Sequence, residues 1–432
     1  MVSPSTHASL YARQNTYIPI PQPYYTFDTT TPGWLSSTLP LPSSSQTSGT
    51  TPLTNLTLLT WNIDFGAPYP RSRMAAALSY LEQLVSHLPS STAIVIFLQE
   101  CMDESSPSSL PETLYTSHSH STVLTENEEE DDEVEEGYED DDDDETPSDL
   151  AQICAAPWIQ SRFHLTDVST QSAAWGARAP YGQVTLVDRR LKVEGVGRMK
   201  LVSEFGRSAL FCDIRMSRSR ENGDGGQEEG QVNVLRLCNV HLDSLSGPLR
   251  PVQWHGLTSH LIPHPPPSAN TPSLITSLSL SSSATPPAIR ASIIAGDTNA
   301  TRPRDATAPQ THGFTDAYLV RGCVEGAEEG ATWGFQSSRR ARERFGVSRL
   351  DKVVFWSDGG QGDGGIEGER DEARLLEVDS VGRIGIGVVV DVRRRGGGEE
   401  RDGAQRGARR RVWVTDHYGL MAVFEVGRGW GF

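Results

Sequence analysis

Eight short apolar runs constrain the fold of this chain more than any other feature. They are "LTLLTWNID" (56–64), "AIVIFLQE" (93–100), "GQVTLVD" (182–188), "SALFCDI" (208–214), "VNVLRLCNVHL" (232–242), "ASIIAGD" (291–297), "LDKVVFW" (350–356) and "GLMAVFEV" (419–426). Each has the length and the β-branched or aromatic content of a buried strand. Helical spacing is clear at Met74, Ala77, Leu78, Leu81, Leu84, Val85 and Leu88, which predicts an amphipathic helix over 71–88. A second helix is expected from Leu249 to Ile262. Many strands, few helices and mixed connections predict an α/β (α+β) protein in which two sheets pack together under helical cover.

Most of these runs, and the short "VWV" (412–414), have a second property: residues that bind metals or handle protons stand at one end. Asn62 and Asp64 follow "LLTW", Glu100 follows "VIFLQ", and His241 and Asp243 follow "LRLCNV". Asp297 and Asn299 follow "IIAG", Asp351 opens "KVVFW", and Asp416 with His417 follows "VWV". The Asp297–Asn299 pair alone also fits a local Asx turn, and either histidine alone fits an ordinary polar core position. Six such junctions together predict one cleft at an edge of the sandwich. Carboxylates suit Mg²⁺, which is held by one or two of them plus waters and phosphate oxygens. Histidines, an amide and a further carboxylate suit the activation of water and the stabilisation of charge on a phosphoryl group.

Between the strands the composition changes. Hydrophobic residues make up 36% of the chain, low for a wholly packed protein, so unpacked segments are expected. Residues 1–52, dense in Pro, Ser and Thr, are expected to be a disordered N-terminal segment preceding a catalytic domain over 53–432. Surface insertions into that domain are expected at about 104–149, 217–231, 263–289, 358–373 and 393–411. The first contains an acidic block, 126–145, with 16 acids and no base, which accounts for most of the net charge of −18. The body of the protein is therefore nearly neutral and does not repel nucleic acid as a whole. The block reads as a solvated loop, with DNA mimicry, autoinhibition or binding of basic proteins as the alternatives. Five cysteines without C-x-x-C spacing offer no zinc site and suit a reducing compartment. No apolar h-region or membrane-length stretch is present, so the expected location is nucleus and/or cytoplasm, not secreted and not at a membrane.

In order along the chain, "TWNID", "FLQE", "HLDS", "GDTN", "LDK" and "TDHYGL" resemble the motifs of the endonuclease/exonuclease/phosphatase superfamily. Within it the chain is most similar to the tyrosyl-DNA phosphodiesterase 2 subfamily and its fungal relatives, through "TWNID", "HLDS", "ATWG" (331–334) and "RPVQ" (250–253). The resemblance covers about residues 56–427, apart from the insertions. It implies a four-layer αββα sandwich of two mixed β-sheets flanked by helices, with Mg²⁺ (or Mn²⁺ in its place) in the cleft. Glu100 would be the main metal ligand, with Asp416 near the metal and Asn62 beside metal and phosphate. Asp297, helped by Asn299, would orient or deprotonate water. His241 and His417 would stabilise the transition state, with Asp351 holding His417. Arg207 and Trp333 would contact substrate, against readings as a surface charge and a core aromatic.

The implied reaction is hydrolysis of a 5′-phosphotyrosyl or related bond, with DNA 5′ ends carrying a protein adduct as partners. RNA ends, phosphoinositide or sphingomyelin are the alternatives within the fold, and a catalytically silent scaffold with an acidic interaction loop is the alternative outside it. Two departures stand out: Ala300-Thr301-Arg302 replaces the subfamily's Leu-Arg-Asp after "GDTN", and Thr415 stands where Ser is usual. The ubiquitin-binding domain of animal relatives has no counterpart in residues 1–52.

Overall fold

The computed structural model describes residues 4–37, 53–103, 148–169, 181–218, 231–263, 280, 286–358, 374–393 and 409–432. All eight apolar runs form strands, and they divide between two large mixed sheets. Spatially the seven-stranded sheet runs Ile20–Gln22, Val193–Lys200, Ser208–Arg215, Asn233–His241, Ala288–Asp297, Asp351–Ser357, Thr315–Asp316. The eight-stranded sheet runs Leu376–Ile384, Gly419–Val426, Asn55–Asn62, Thr92–Met102, Tyr181–Asp188, Phe163–Leu165, Tyr24–Asp28, Gly33–Ser37. Their facing sides share one apolar core, in which Leu58, Val95 and Phe97 of one sheet meet Leu235, Leu237 and Ile293 of the other.

The outer faces are covered as the sequence predicts. The helix Pro70–His87 lays Met74, Ala77, Leu78, Leu81 and Val85 on the eight-stranded sheet. The helix Leu249–Leu261 places Trp254, Leu257 and Leu261 on the seven-stranded one. This is the expected αββα sandwich. Within the sheet interface, Gln99 donates to Asn239 Oδ1 (2.8 Å) and to Thr60 Oγ1 (3.0 Å), and Asn239 donates to the Leu98 and Val184 carbonyls. A buried amide pair with its partners supplied fixes one register between the sheets, since any slip would orphan these groups.

The N-terminal segment differs from expectation. Pro4–Gln14 is a helix, and Ile20–Gln22, Tyr24–Asp28 and Gly33–Ser37 are strands. Sparse apolar residues among Pro, Ser and Thr conceal this order: Leu10, Tyr11 and Tyr17 pack against Val202, Leu249 and Val252, and Tyr24 and Tyr25 join the core. Successive strands of this arm pair with different sheets, Pro21 opposite Gly197 and Tyr25 opposite Leu165, so it ties the two sheets along one edge. Residues 38–52 lie outside the described residues, as does most of each expected insertion, the acidic block included. The insertion borders are tighter than expected. Asp149 opens a helix capped by Ser148, Ser217–Arg218 pairs with Trp430–Gly431, Ala288 starts a strand, and Val389–Arg393 pairs with Arg409–Trp413. Among the described residues no helix is long and apolar enough to cross a membrane.

His164 and His260 are buried in this framework, and loss of solvation pushes each imidazole down to about 4. An unfolded chain protonates them near pH 6.5, the folded one only near 4, so their neutral burial costs stability progressively as pH falls through that window. In histidine-selective NMR, both rings are expected to keep neutral chemical shifts down to about pH 5. A midpoint near the ordinary value for either would contradict this burial.

Candidate active site

Adjacent strands bring the polar ends into line. In the seven-stranded sheet His241 pairs with Asp297, and Asp297 with Asp351, so three side chains stand abreast at one sheet end. In the eight-stranded sheet Asn62 ends its strand beside Gln99. The next residue, Glu100, sits where the register slips between Leu98 and Cys101, and takes φ 59°. This bulge turns Glu100 toward the cleft while Gln99 stays in the sheet interface. Asp64 (φ 57°) and Asn299 (φ 48°) also hold left-handed backbone, which non-glycine residues adopt only when their surroundings enforce it.

Asp297 is the centre. Its Oδ1 accepts the Asn299 backbone N–H (2.8 Å), and its Oδ2 accepts the Asn62 amide (3.2 Å). That Oδ2 also lies 3.4 Å from His241 Nε2 and 3.8 Å from His417 Nε2. Arg207 Nη1 lies 3.0 Å from His241 Nδ1, and a guanidinium can only donate, so Nδ1 accepts and the ring proton sits on Nε2, facing Asp297. Asp351 Oδ2 lies 2.8 Å from His417 Nδ1. Burial alone would push the His417 imidazole down, but Asp351, Asp416 and Asp297 together outweigh it and hold the ring protonated. The Thr415 hydroxyl donates to the Asn62 carbonyl (2.8 Å) and accepts the His417 N–H (3.2 Å).

Glu100 lies beside this group, its Oε2 accepting the Phe65 N–H (3.3 Å) and its Oε1 3.5 Å from His241 Nδ1 and 4.0 Å from Arg207 Nη2. Burial pushes the Glu100 carboxyl up to about 8, partly offset by Arg207 and reinforced by Asp64 and Asp416. Asp64 is likewise raised to about 7 by burial and then by Asp416, and Asp297 to about 6 by burial. Such a set of desolvated carboxylates with too little cationic compensation is what a hard divalent ion would relieve. Among the described residues no three His, Cys, Asp or Glu side chains are grouped closely enough to cage a metal. The carboxylates present suit a hard divalent ion that takes few protein ligands and keeps water and substrate oxygens for the rest, and Glu100 and Asp416 would be the residues to hold it.

The two substrate candidates have structural partners. Arg207 is buried, donates to Tyr181 Oη (3.3 Å) and lies over the Tyr181 and Phe205 rings. The Trp333 indole donates to Asp416 Oδ2 (2.8 Å), so it aims that carboxylate. One strand-end reading needs correction. Asp243 does not join the cleft; it accepts Ser203 Oγ (2.5 Å) and the Glu204 N–H (3.0 Å), bracing the loop that carries Arg207. Arg302, the displaced arginine after "GDTN", packs its guanidinium on Gly247, while the buried Arg250 is bonded to Thr301 and Asp305. Sequence reasoning also missed Arg73, whose Nη2 lies 3.3 Å from Asp64 Oδ2; on a helix it looks like an ordinary solvated charge.

Gly296 is the hinge of "GDTN". Its φ is 137°, and a Cβ there would meet the Val240 carbonyl at 2.0 Å. Gly296→Ala is therefore expected to destabilise the fold by roughly 3 kcal/mol or more and to displace Asp297. Denaturant unfolding would measure it, and a wild-type midpoint would contradict the close approach.

Comparison with curated proteins gives no match. Among solved structures, the chain is similar to a humanized D. rerio TDP2 at 14% identity, covering 86% of this chain and 99% of that one, with a TM-score of 0.43. It is similar to TDP2 from Caenorhabditis elegans at 15%, covering 86% and 74%, with a TM-score of 0.44. It is also similar to the mannosyl-6-phosphatase Bt3783 of Bacteroides thetaiotaomicron at 12%, covering 85% and 98%, with a TM-score of 0.40. The sequence model of the endonuclease/exonuclease/phosphatase family matches residues 59–417, a span that contains every residue of the cleft. The chain belongs to the endonuclease/exonuclease/phosphatase family and is a phosphoester hydrolase.

Proposed function

We propose that the chain is a Mg²⁺-dependent phosphodiesterase that removes a tyrosyl or related adduct from DNA 5′ ends, in the repair of topoisomerase adducts in the nucleus or cytoplasm. The observation that carries the reaction is the convergence of Asn62, His241 and His417 on one Asp297 carboxylate oxygen, with Glu100 alongside. The substrate rests on the subfamily motifs "TWNID", "HLDS" and "ATWG".

Asp297 Oδ2, aimed by the Asn62 amide, accepts a proton from the attacking water. The protonated His417 ring and the Nε2–H of His241 donate to the phosphoryl oxygens on which charge accumulates. Asp351 keeps the His417 ring fixed throughout. Mg²⁺ bound by Glu100 and Asp416 would offset charge on the non-bridging and leaving oxygens. A phenolate, with a pKa near 10, leaves more readily than an alkoxide, which favours a tyrosyl ester.

The test is a substrate panel with and without Mg²⁺: a 5′-phosphotyrosyl oligonucleotide, abasic DNA, poly(A), a phosphoinositide and sphingomyelin. The tyrosyl substrate is expected to be cleaved fastest, leaving a 5′-phosphate. A preference for RNA or lipid would reject the DNA assignment while leaving the chemistry intact. Mg²⁺-dependent cleavage of none of them, with histone binding through 126–145, would favour the scaffold.

A further inference from the structure

We infer that the N-terminal arm belongs to the active-site framework, with Gln14 as a positioning residue for Arg207. The inference rests on the hydrolytic reading of the cleft only for its kinetic consequence. Gln14 ends the helix Pro4–Gln14 and is almost fully buried, at 1% exposure. Its side-chain oxygen accepts the Val202 N–H (2.8 Å), and its amide nitrogen donates to the Lys200 carbonyl (3.4 Å). Gln253 completes the clasp by donating to the Val202 carbonyl (3.0 Å). A side chain at Gly256 would collide with Gln14 at 2.6 Å, so that glycine makes room for the amide.

The clasped residues open the loop that delivers Arg207. Leu201 N donates to the Arg207 carbonyl (3.0 Å), closing the loop on itself, and Arg207 N donates to Ser203 Oγ (3.0 Å). The Arg207 side chain then meets His241 Nδ1 at 3.0 Å and sets its tautomer. Arg207 Nε and Nη2 have no hydrogen-bond partner among the described residues, so besides Tyr181, His241 and the flanking rings the loop backbone helps to place the guanidinium. Among the described residues, only the arm supplies an acceptor for the Val202 N–H. Leu10, Tyr11 and Tyr17 seat the arm on Val202, Leu249 and Val252, and Asn15 meets His255 Nε2 at 2.9 Å.

The experiment is a double-mutant cycle on the full chain. Gln14→Leu is expected to lower kcat on the 5′-phosphotyrosyl oligonucleotide about tenfold with little change in KM, but less than about twofold in an Arg207→Ala background. Gln14→Met carries the same expectation should the leucine variant not fold. Asn15→Ala, which removes a neighbouring arm contact, is expected to leave kcat unchanged. In substrate-free NMR, Gln14→Leu should shift the His241 ring signals and Asn15→Ala should not. Equal losses in both backgrounds, an undiminished kcat in Gln14→Leu, or His241 signals that stay fixed would overturn the inference. An inactive wild type would instead count against the proposed function, while the NMR result still decides the role of Gln14.

Discussion

Asp297→Asn is expected to reduce kcat by on the order of a thousandfold while leaving KM and the fold nearly unchanged. Asparagine preserves size and can still accept the Asn299 N–H through its carbonyl, so the turn after Gly296 survives. What is lost is the basic oxygen shared by Asn62, His241 and His417. An amide in that place cannot take a proton from water, and it removes one of the carboxylates that keep His417 charged. Both consequences fall on the transition state rather than on binding, so the loss should appear in kcat. Steady-state kinetics with a thermal melt as control measure it, and a variant within tenfold of wild type would remove Asp297 from the role of base.

The second large effect concerns stability. Arg236 and Asp213 are neighbours across adjacent strands, both about 1% exposed, and they form a two-pronged pair of 2.7 and 2.8 Å. Arg236 also donates to the His260 carbonyl (3.0 Å), tying the sheet to the end of the covering helix. Arg236→Met keeps most of the packing but strands a carboxylate in the interior, at a cost of roughly 3–5 kcal/mol. Against a total stability of about 5–15 kcal/mol that is a large fraction. Adding Asp213→Leu should recover most of the loss, because the stranded charge goes with it. Urea unfolding of the single and double variants decides this. A single variant as stable as wild type would mean that water or rearrangement reaches Asp213.

Much of this architecture was legible because burial and chemistry left separate marks on the same segments. "ASIIAGD" announces a strand through Ile293 and Ile294, and a polar end aimed at a cleft through Asp297, without any knowledge of its neighbours. Neighbour-dependent features were not legible. Tyr24 and Tyr25 sit among Pro and Thr and reveal a strand only once Phe163–Leu165 offers an edge to pair with. Arg73 has helical spacing suited to solvent, yet it is buried because its helix starts over the Asp64 turn. Asp243 shows the opposite error. It has the type and place of a site residue, but the chain turns it away to hold the 203–207 loop. Trp333 could be read as a substrate contact or a core aromatic but not as the donor to Asp416, since nothing in "ATWG" indicates which residue lies across from it.

The most direct test of the central claim is turnover of the 5′-phosphotyrosyl oligonucleotide against Mg²⁺ concentration, for wild type and Glu100→Gln side by side. Wild-type activity should rise with Mg²⁺ and vanish in a chelator. Glu100→Gln should lose on the order of a hundredfold or more at saturating substrate and require much more Mg²⁺. Wild-type turnover that persists in the chelator, or normal turnover and Mg²⁺ response in Glu100→Gln, would contradict it.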